Sequence, residues 1–477
     1  MNFLKYLVVL FVLWPVHAAV GENMQGMSIY PVPTDIRSEV LTFEVRQAEG
    51  DLWQAVPLTK ADSMSDQPHA HGGAEAWVVC AASGALQLRV TAPVPVVSAV
   101  IRPSLVQPID TQIDGHHVTA TIAQPGYVVI ELNHDAATDV PRFTVYLMIE
   151  KPETLPIGEN VKRIKPGHHA PELFASSSSQ TLLLLPGVHT VEGQMIQLSS
   201  QTTLYLQGGA YLRSYVHAID VEHVDLKGHG VIDGTGVACK TREWRDDGDA
   251  AFVLVRHGKQ ITWDGPTIYD SPFWNFVLHG GENIAIRHYK SICWKVNNDG
   301  IQPRNCNRLV AENCFLKCAD DCVAIKSRRT ARMTFGDLTF RDLVLWNDKP
   351  GNGVEIGHTS QADQLSNVLF ENIHVVHAEG AEGGKHVISI FLVDHCTVQD
   401  VTYRDFYVEG FLAIGDIGFQ ITQSRYSTDS QRGHIRRIKV DGYHKDQPIK
   451  PMLINDYDSA HRVQDVSVDR MGSIEKN

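Results

Sequence analysis

Glu282-Asn283-Ile284-Ala285-Ile286-Arg287, followed by Asn307-Arg308-Leu309-Val310-Ala311-Glu312-Asn313, is the stretch whose reading decides the fold. Each unit starts on a polar residue and runs through a short alternation of apolar and polar side chains, with Asn or Asp marking the turn. The unit returns at Ser366-Asn367-Val368-Leu369-Phe370-Glu371-Asn372 and at Thr397-Val398-Gln399-Asp400-Val401-Thr402-Tyr403-Arg404-Asp405, with related text at 336–342, 433–441 and 462–469. Starts lie roughly 25 to 35 residues apart and no unit is long enough to bury a core alone, which is the mark of a stacked solenoid. Because the units are strands with no helical period between them, the expected architecture is a right-handed parallel β-helix.

In such a helix one coil returns the chain to the same wall, and successive coils lie ~4.8 Å apart. Asn297-Asn298-Asp299-Gly300 precedes Asp320-Asp321-Cys322-Val323-Ala324-Ile325-Lys326 by about one coil. Asp299 and Asp320 are therefore expected as stacked neighbours with Asp321 beside them. Carboxylates held together repel, so at least one pKa rises and an acid is separated from a base. A single aspartate here would read as a turn residue, but three together read as glycosidic-bond hydrolysis. Offset by one or two rungs, they are expected to reach the ~6.5 to 9.5 Å separation that admits a water opposite the leaving group.

Working outward, residues 27–155 alternate short strands with turns, as in Val40-Leu41-Thr42-Phe43-Glu44-Val45 and Tyr127-Val128-Val129-Ile130-Glu131-Leu132. Period-two text at short spacing predicts an antiparallel β-sandwich. Composition shifts around Pro152-Glu153-Thr154-Leu155-Pro156, and the β-helix is expected over 165–477; Ser176-Ser177-Ser178-Ser179 reads as a surface loop. Residues 1–19 carry Lys5, an apolar run over 6–16 and the small ending Val16-His17-Ala18-Ala19. That run is shorter than the ~20 residues of a membrane span and reads as a secretory signal. The expectation is a secreted or periplasmic chain with no membrane span after cleavage.

The 477 residues exceed what one compact core usually holds. A formal net charge of -13 argues against nucleic acid or anionic membrane as partner, since phosphates reward a basic surface. Five of the eight cysteines, Cys293, Cys306, Cys314, Cys318 and Cys322, crowd around the aspartates. Their spacing is not that of a zinc site, so neither metal nor cofactor is expected. A local disulfide and free, buried thiols are both open readings. Nothing in the text sets the oligomeric state.

Gly228-His229-Gly230-Val231-Ile232-Asp233-Gly234-Thr235-Gly236, Asp270-Ser271-Pro272-Phe273-Trp274-Asn275 and the two aspartate motifs occur in the order found in family 28 glycoside hydrolases, the polygalacturonases and their relatives, which the chain resembles over residues 186–327. Family 49, the dextranases and isopullulanases, is similar in fold, aspartate trio and the preceding sandwich. The resemblance implies an inverting hydrolase in which Asp320 is the general acid, Asp299 and Asp321 activate the attacking water, and Asn297 and Lys326 contact substrate. Two family motifs are altered. Asn352, in Gly351-Asn352-Gly353, stands where the family has histidine, and the Arg-x-Lys that grips a galacturonate carboxylate is missing from Val387-Ile388-Ser389-Ile390-Phe391. Arg436-Arg437-Ile438-Lys439 falls in a later repeat. Asn352, His358, Lys326, Arg328 and Lys385-His386 are the candidate replacements in a cleft above the aspartates.

Sugar faces stack on aromatic rings, so Trp274, Trp294 and Trp346 are candidate platforms, and Glu243-Trp244-Arg245-Asp246-Asp247-Gly248-Asp249 a candidate cleft wall. The expected substrate is a polysaccharide or oligosaccharide. Pectic chains follow from the motif match, and a neutral α-glucan, as for a dextranase, from the missing basic pair. A β-helix lyase would need calcium-binding acids and a basic residue, and no arginine lies inside the aspartate motifs; an adhesin would need no aspartate trio.

Overall fold

One coil of the helix consists of Glu282–Arg287, Lys290–Ile292 and Ile301–Arg304, one strand on each of three walls, and the next of Asn307–Cys318 and Val323–Ser327. The computed structural model describes residues 26–474 except 49, 51, 62–72, 106–109, 136–139, 176–178, 241–249, 331–332 and 381–383. The signal-like segment, most of the serine tract and the loop at Glu243 therefore lie outside the described residues. Among those described, 26 strands stack into one sheet, from Val161–Ile164 to Val463–Ser473, as a right-handed parallel β-helix. Register is kept from coil to coil: Ile284 pairs with Leu309 and Leu309 with Leu338 on the first wall. On the third wall Ile301, Val323, Val354 and Ile388 form one column.

Strand alternation turns that register into a continuous interior, since every second residue points the same way. Ile284, Ile286, Leu309, Ala311, Phe340, Phe370 and Tyr403 all lie in one buried cluster, with Phe340, Phe370 and Tyr403 stacked at 5.0 and 5.2 Å between ring centres. The corner after the first wall is made by one left-handed residue per coil, His288, Asn313, Asp342, Asn372 and Asp405, all with φ between 49° and 56°. Asn and Asp tolerate that conformation because a short polar side chain bonds locally; Asn372 Nδ2 donates to Asp342 Oδ1 at 2.7 Å. The turn residues visible in the repeats are these corners. All eight cysteines are free thiols, and the five near the aspartates are buried in the helix core, so the disulfide reading gives way to packing.

The N-terminal strands form one ten-stranded sheet. It is antiparallel except where Pro141–Glu150 runs parallel beside Ala74–Ala82. Its alternation serves two interfaces. Val128, Ile130, Val145, Leu147 and Val78 point into the sheet's own core. Their neighbours Tyr127, Val129, Tyr146, Met148 and Trp77 pack on the second wall of the helix, against Tyr269, Trp294, Phe315 and Trp346. Trp294 and Trp346 are thus interface anchors rather than sugar platforms; Trp346 meets Tyr146 edge-on at 5.1 Å. Two buried lysines pin the same wall: Lys290 Nζ lies 2.5 Å from Glu150, and Lys317 Nζ lies 2.6 Å from Asp348 and 3.3 Å from Glu75. No helix among the described residues is long and apolar enough to cross a membrane.

Lys317→Ala leaves Asp348 and Glu75 buried without their cation, and removing one partner of a buried pair typically costs ~3–5 kcal/mol. The urea midpoint of the first unfolding transition should fall accordingly; an unchanged midpoint would show that the seat of the N-terminal sheet does not depend on this ion pair.

Candidate active site

The three aspartates sit at the corner where the second wall passes into the third, just ahead of Ile301–Arg304 and Val323–Ser327. Gly300 N donates to Asp321 O at 3.0 Å and Ile301 N to Cys322 O at 3.0 Å, which sets Asp299 and Asp321 one rung apart. Glycines permit the approach: a Cβ at Gly300 would stand 2.4 Å from Cys322 O, and one at Gly351 only 2.0 Å from the Asp320 carbonyl carbon. Carboxylate oxygens of Asp299, Asp320 and Asp321 lie within 4.8 Å of one another. That is tighter than the expected ~6.5 to 9.5 Å. Two of the three are chain neighbours, and the third is separated from them by a single coil rise of ~4.8 Å.

Each carboxylate has its own surroundings. Lys326 Nζ donates to Asp299 Oδ2 at 3.0 Å, and Gln302 Nε2 donates to the same oxygen. Asp321 Oδ1 accepts from both Asn352 N and Asn352 Nδ2 at 2.8 Å, with Lys385 Nζ at 3.8 Å. Asp320 is the one that is partly exposed; its Oδ1 accepts from Asp321 N at 3.1 Å. Burial, then the charges of Asp299 and Asp321, push the Asp320 carboxyl far above the usual carboxylate range. Burial also raises Asp299, against the opposing Lys326. For Asp321 burial acts upward too, but Lys385, Lys326, His358 and the Asn352 amide together carry it below its ordinary value. One cluster therefore holds a protonated carboxyl beside an ionised one, the division that acid and base catalysis require.

Above them is an open cleft of about 920 Å³ lined by Trp274, Asn297, Arg304, Lys326, His358 and Lys385 among others. Trp274, Asn297, Lys326 and His358 thus reach it, as do Arg328 and Lys385. Asn352 does not. It is fully buried, accepts from His386 N at 2.9 Å, and spends its donors on Asp321 and Glu355, so it braces Asp321 rather than facing the cleft. His386 is likewise buried beneath the cleft. The sequence reading missed Glu355, whose carboxylate holds both Asn352 Nδ2 and His358 Nδ1. It also missed Gln302, Arg304, Arg425 and Tyr426; the last two line the cleft from a loop that follows the strand Gly415–Ile421. Arg304 was legible: it pairs in register with Lys326 and shares its outward face.

Residues 172–415 match the model for glycosyl hydrolases family 28, and the chain belongs to that family. Its relatives include an isopullulanase of Aspergillus niger, 23% identical over 278 residues, or 49% of this chain and 46% of that protein. A polygalacturonase of Juniperus ashei is 28% identical over 179 residues, 35% of this chain and 32% of its own. The matched stretch spans less than half the length of either. Among solved structures, Dex49A from Penicillium minioluteum is similar along 92% of this chain and 96% of its own, with a TM-score of 0.59 at 16% identity, which bears on the fold.

Lys385 lowers the pKa of both Asp321 and Asp320. Lys385→Met should therefore raise both: with Asp321 read as base and Asp320 as acid, the acidic and alkaline limbs of the pH–rate profile both move up. A profile measured on a cleaved substrate that stays in place, or moves down, would contradict this electrostatic assignment.

Proposed function

We propose that the chain is an exported glycoside hydrolase that cleaves a pectic, uronate-containing polysaccharide with inversion of configuration. The carrying observation is the split among three carboxylates within 4.8 Å: Asp320 held protonated, Asp321 held ionised. Asp320 gives its proton to the departing glycosidic oxygen. Asp321, with Asp299, holds a water and takes its proton as that water attacks the anomeric carbon. Lys326 keeps Asp299 oriented through its 3.0 Å contact, and Asn352 does the same for Asp321.

The carboxylate spacing, taken alone, resembles the ~5 Å of retaining enzymes more than the separation of inverting ones. Inversion is favoured because a nucleophile must present an oxygen to the sugar, and Asp299 and Asp321 are 1% and 2% exposed, each with one oxygen already bonded to neighbours. Family membership and the polygalacturonase relatives support an acidic substrate, as does the lining of the cleft, where Arg304, Lys326, Arg328, Lys385 and Arg425 outnumber the aspartates. A neutral α-glucan is the second reading, favoured by Asn352 in the histidine position, the missing Arg-x-Lys and the isopullulanase relative. Elimination is disfavoured: Arg304, with its pKa pulled down by burial to about 9, still holds its proton at neutral pH and serves as a cation rather than a base.

A panel of pectic and α-glucan polysaccharides, read by reducing-sugar release, should show cleavage of polygalacturonate or rhamnogalacturonan. Asp320→Asn should lower the rate by ~10²–10⁴, the usual contribution of a positioned general acid. Proton NMR of the first product should show the anomer opposite to the substrate linkage. Retained configuration would make one aspartate a nucleophile, unsaturated products absorbing in the ultraviolet would indicate a lyase, and cleavage of α-glucan alone would displace the pectic reading.

A further inference from the structure

Arg256, His279, Arg304 and Lys326 occupy one column on the outer face of the third wall, paired rung by rung. Basic groups stacked in direct register repel, and this column runs from the aspartates toward the N-terminal coils. Lys326 is offset by Asp299. His279 is kept neutral, its pKa lowered to about 4 by burial and then by the Arg304 charge. Arg304 also feels the Asp299 charge, yet no carboxylate bonds it directly among the described residues. It is 2% exposed, its Nη2 donates to Gln302 Oε1, and its Nε and Nη1 meet no acceptor among the described residues. The Trp274 ring lies over the guanidinium at 4.5 Å. A buried cation with unmet N–H groups is a costly arrangement unless an anion completes it, and both Arg304 and Trp274 line the cleft beside Asp299.

We propose that Arg304, together with Trp274, forms the carboxylate-binding subsite of this cleft, receiving the uronate on the side of the scissile bond nearer the N-terminal coils. The inference rests on the pectic reading above and adds a location to it. The missing basic pair would have stood on His386–Leu392, two coils beyond the coil of Asp320, whereas Arg304 stands on the coil of Asp299, one coil before it. The anionic grip has moved to the opposite side of the catalytic carboxylates. Trp274, lying across the guanidinium, is displaced or stacked upon as the sugar enters, and a carboxylate then meets the N–H groups that lack acceptors. A methyl-esterified sugar offers no charge to this site and gains little from it.

The test is steady-state kinetics of wild type, Arg304→Gln and Arg304→Lys on oligogalacturonate and on the same oligomer methyl-esterified. Wild type should prefer the acid. Arg304→Gln should raise KM for the acid by about 10- to 100-fold, the usual effect of losing a hydrogen bond to a charged group, while KM for the ester changes by less than about threefold. Arg304→Lys keeps the charge and should retain part of the preference, so the proposal stays falsifiable if the glutamine variant does not fold. Equal losses on acid and ester, falling in kcat, would show that Arg304 acts only through Gln302 on Asp299 and would overturn the subsite while leaving the pectic reading intact. A wild type that cleaves neither oligomer but does cleave an α-glucan would overturn both.

Discussion

The parallel register of the third wall is the constraint on which the rest depends. Ile301, Val323, Val354 and Ile388 stack in one column. Two positions before them, that register brings Asp299, Asp321, Asn352 and His386 into a second column at the corner. Because the coil rise is ~4.8 Å, carboxylates placed this way are forced into interaction whatever their protonation. Glycine at 300 and 351 lets the backbones close to that spacing; a Cβ at either would collide with the backbone of a neighbouring coil. The strength of the site is thus borrowed from the backbone ladder, with side chains adding discrimination.

Discrimination comes from unequal company. Asp321 is surrounded by donors from the two coils beyond it, Asn352 directly and Lys385 at 3.8 Å, while Asp320 has mainly its two carboxylate neighbours. The N-terminal sheet contributes at a distance. By covering the second wall with Trp77, Tyr127 and Tyr146 and burying Lys290 and Lys317 beneath it, it holds the wall from which the aspartate corner departs. The third wall presents the cleft, and its lysines and arginines come from three coils, bearing Arg304, Lys326 with Arg328, and Lys385, and from the loop of Arg425.

The fold was legible because a β-helix repeats its physics: apolar residues at period two, an Asn or Asp at each left-handed corner, and a return distance close to the motif spacing. The aspartates were legible for the same reason. What escaped was whatever depends on which way a side chain points relative to a different coil. Asn352 reads as a cleft residue from its place in a Gly-x-Gly motif, yet it is turned under the cleft onto Asp321. Trp294 and Trp346 read as platforms from their proximity to the motifs, yet both lie on the wall that the N-terminal sheet covers. Arg304 was passed over because it lies between the two aspartate motifs rather than inside either, although Lys326 one coil later marks its face. Pairing the coils rung by rung, rather than reading each motif alone, recovers it.

The division of labour at the corner can be observed without any substrate. An infrared difference spectrum between wild type and Asp320→Asn at mildly acidic pH isolates the carboxyl that the variant removes. Loss of a protonated-carboxyl C=O band is expected, since burial and the two neighbouring aspartates keep Asp320 neutral. Loss of an ionised carboxylate band instead would contradict the assignment of Asp320 as the acid.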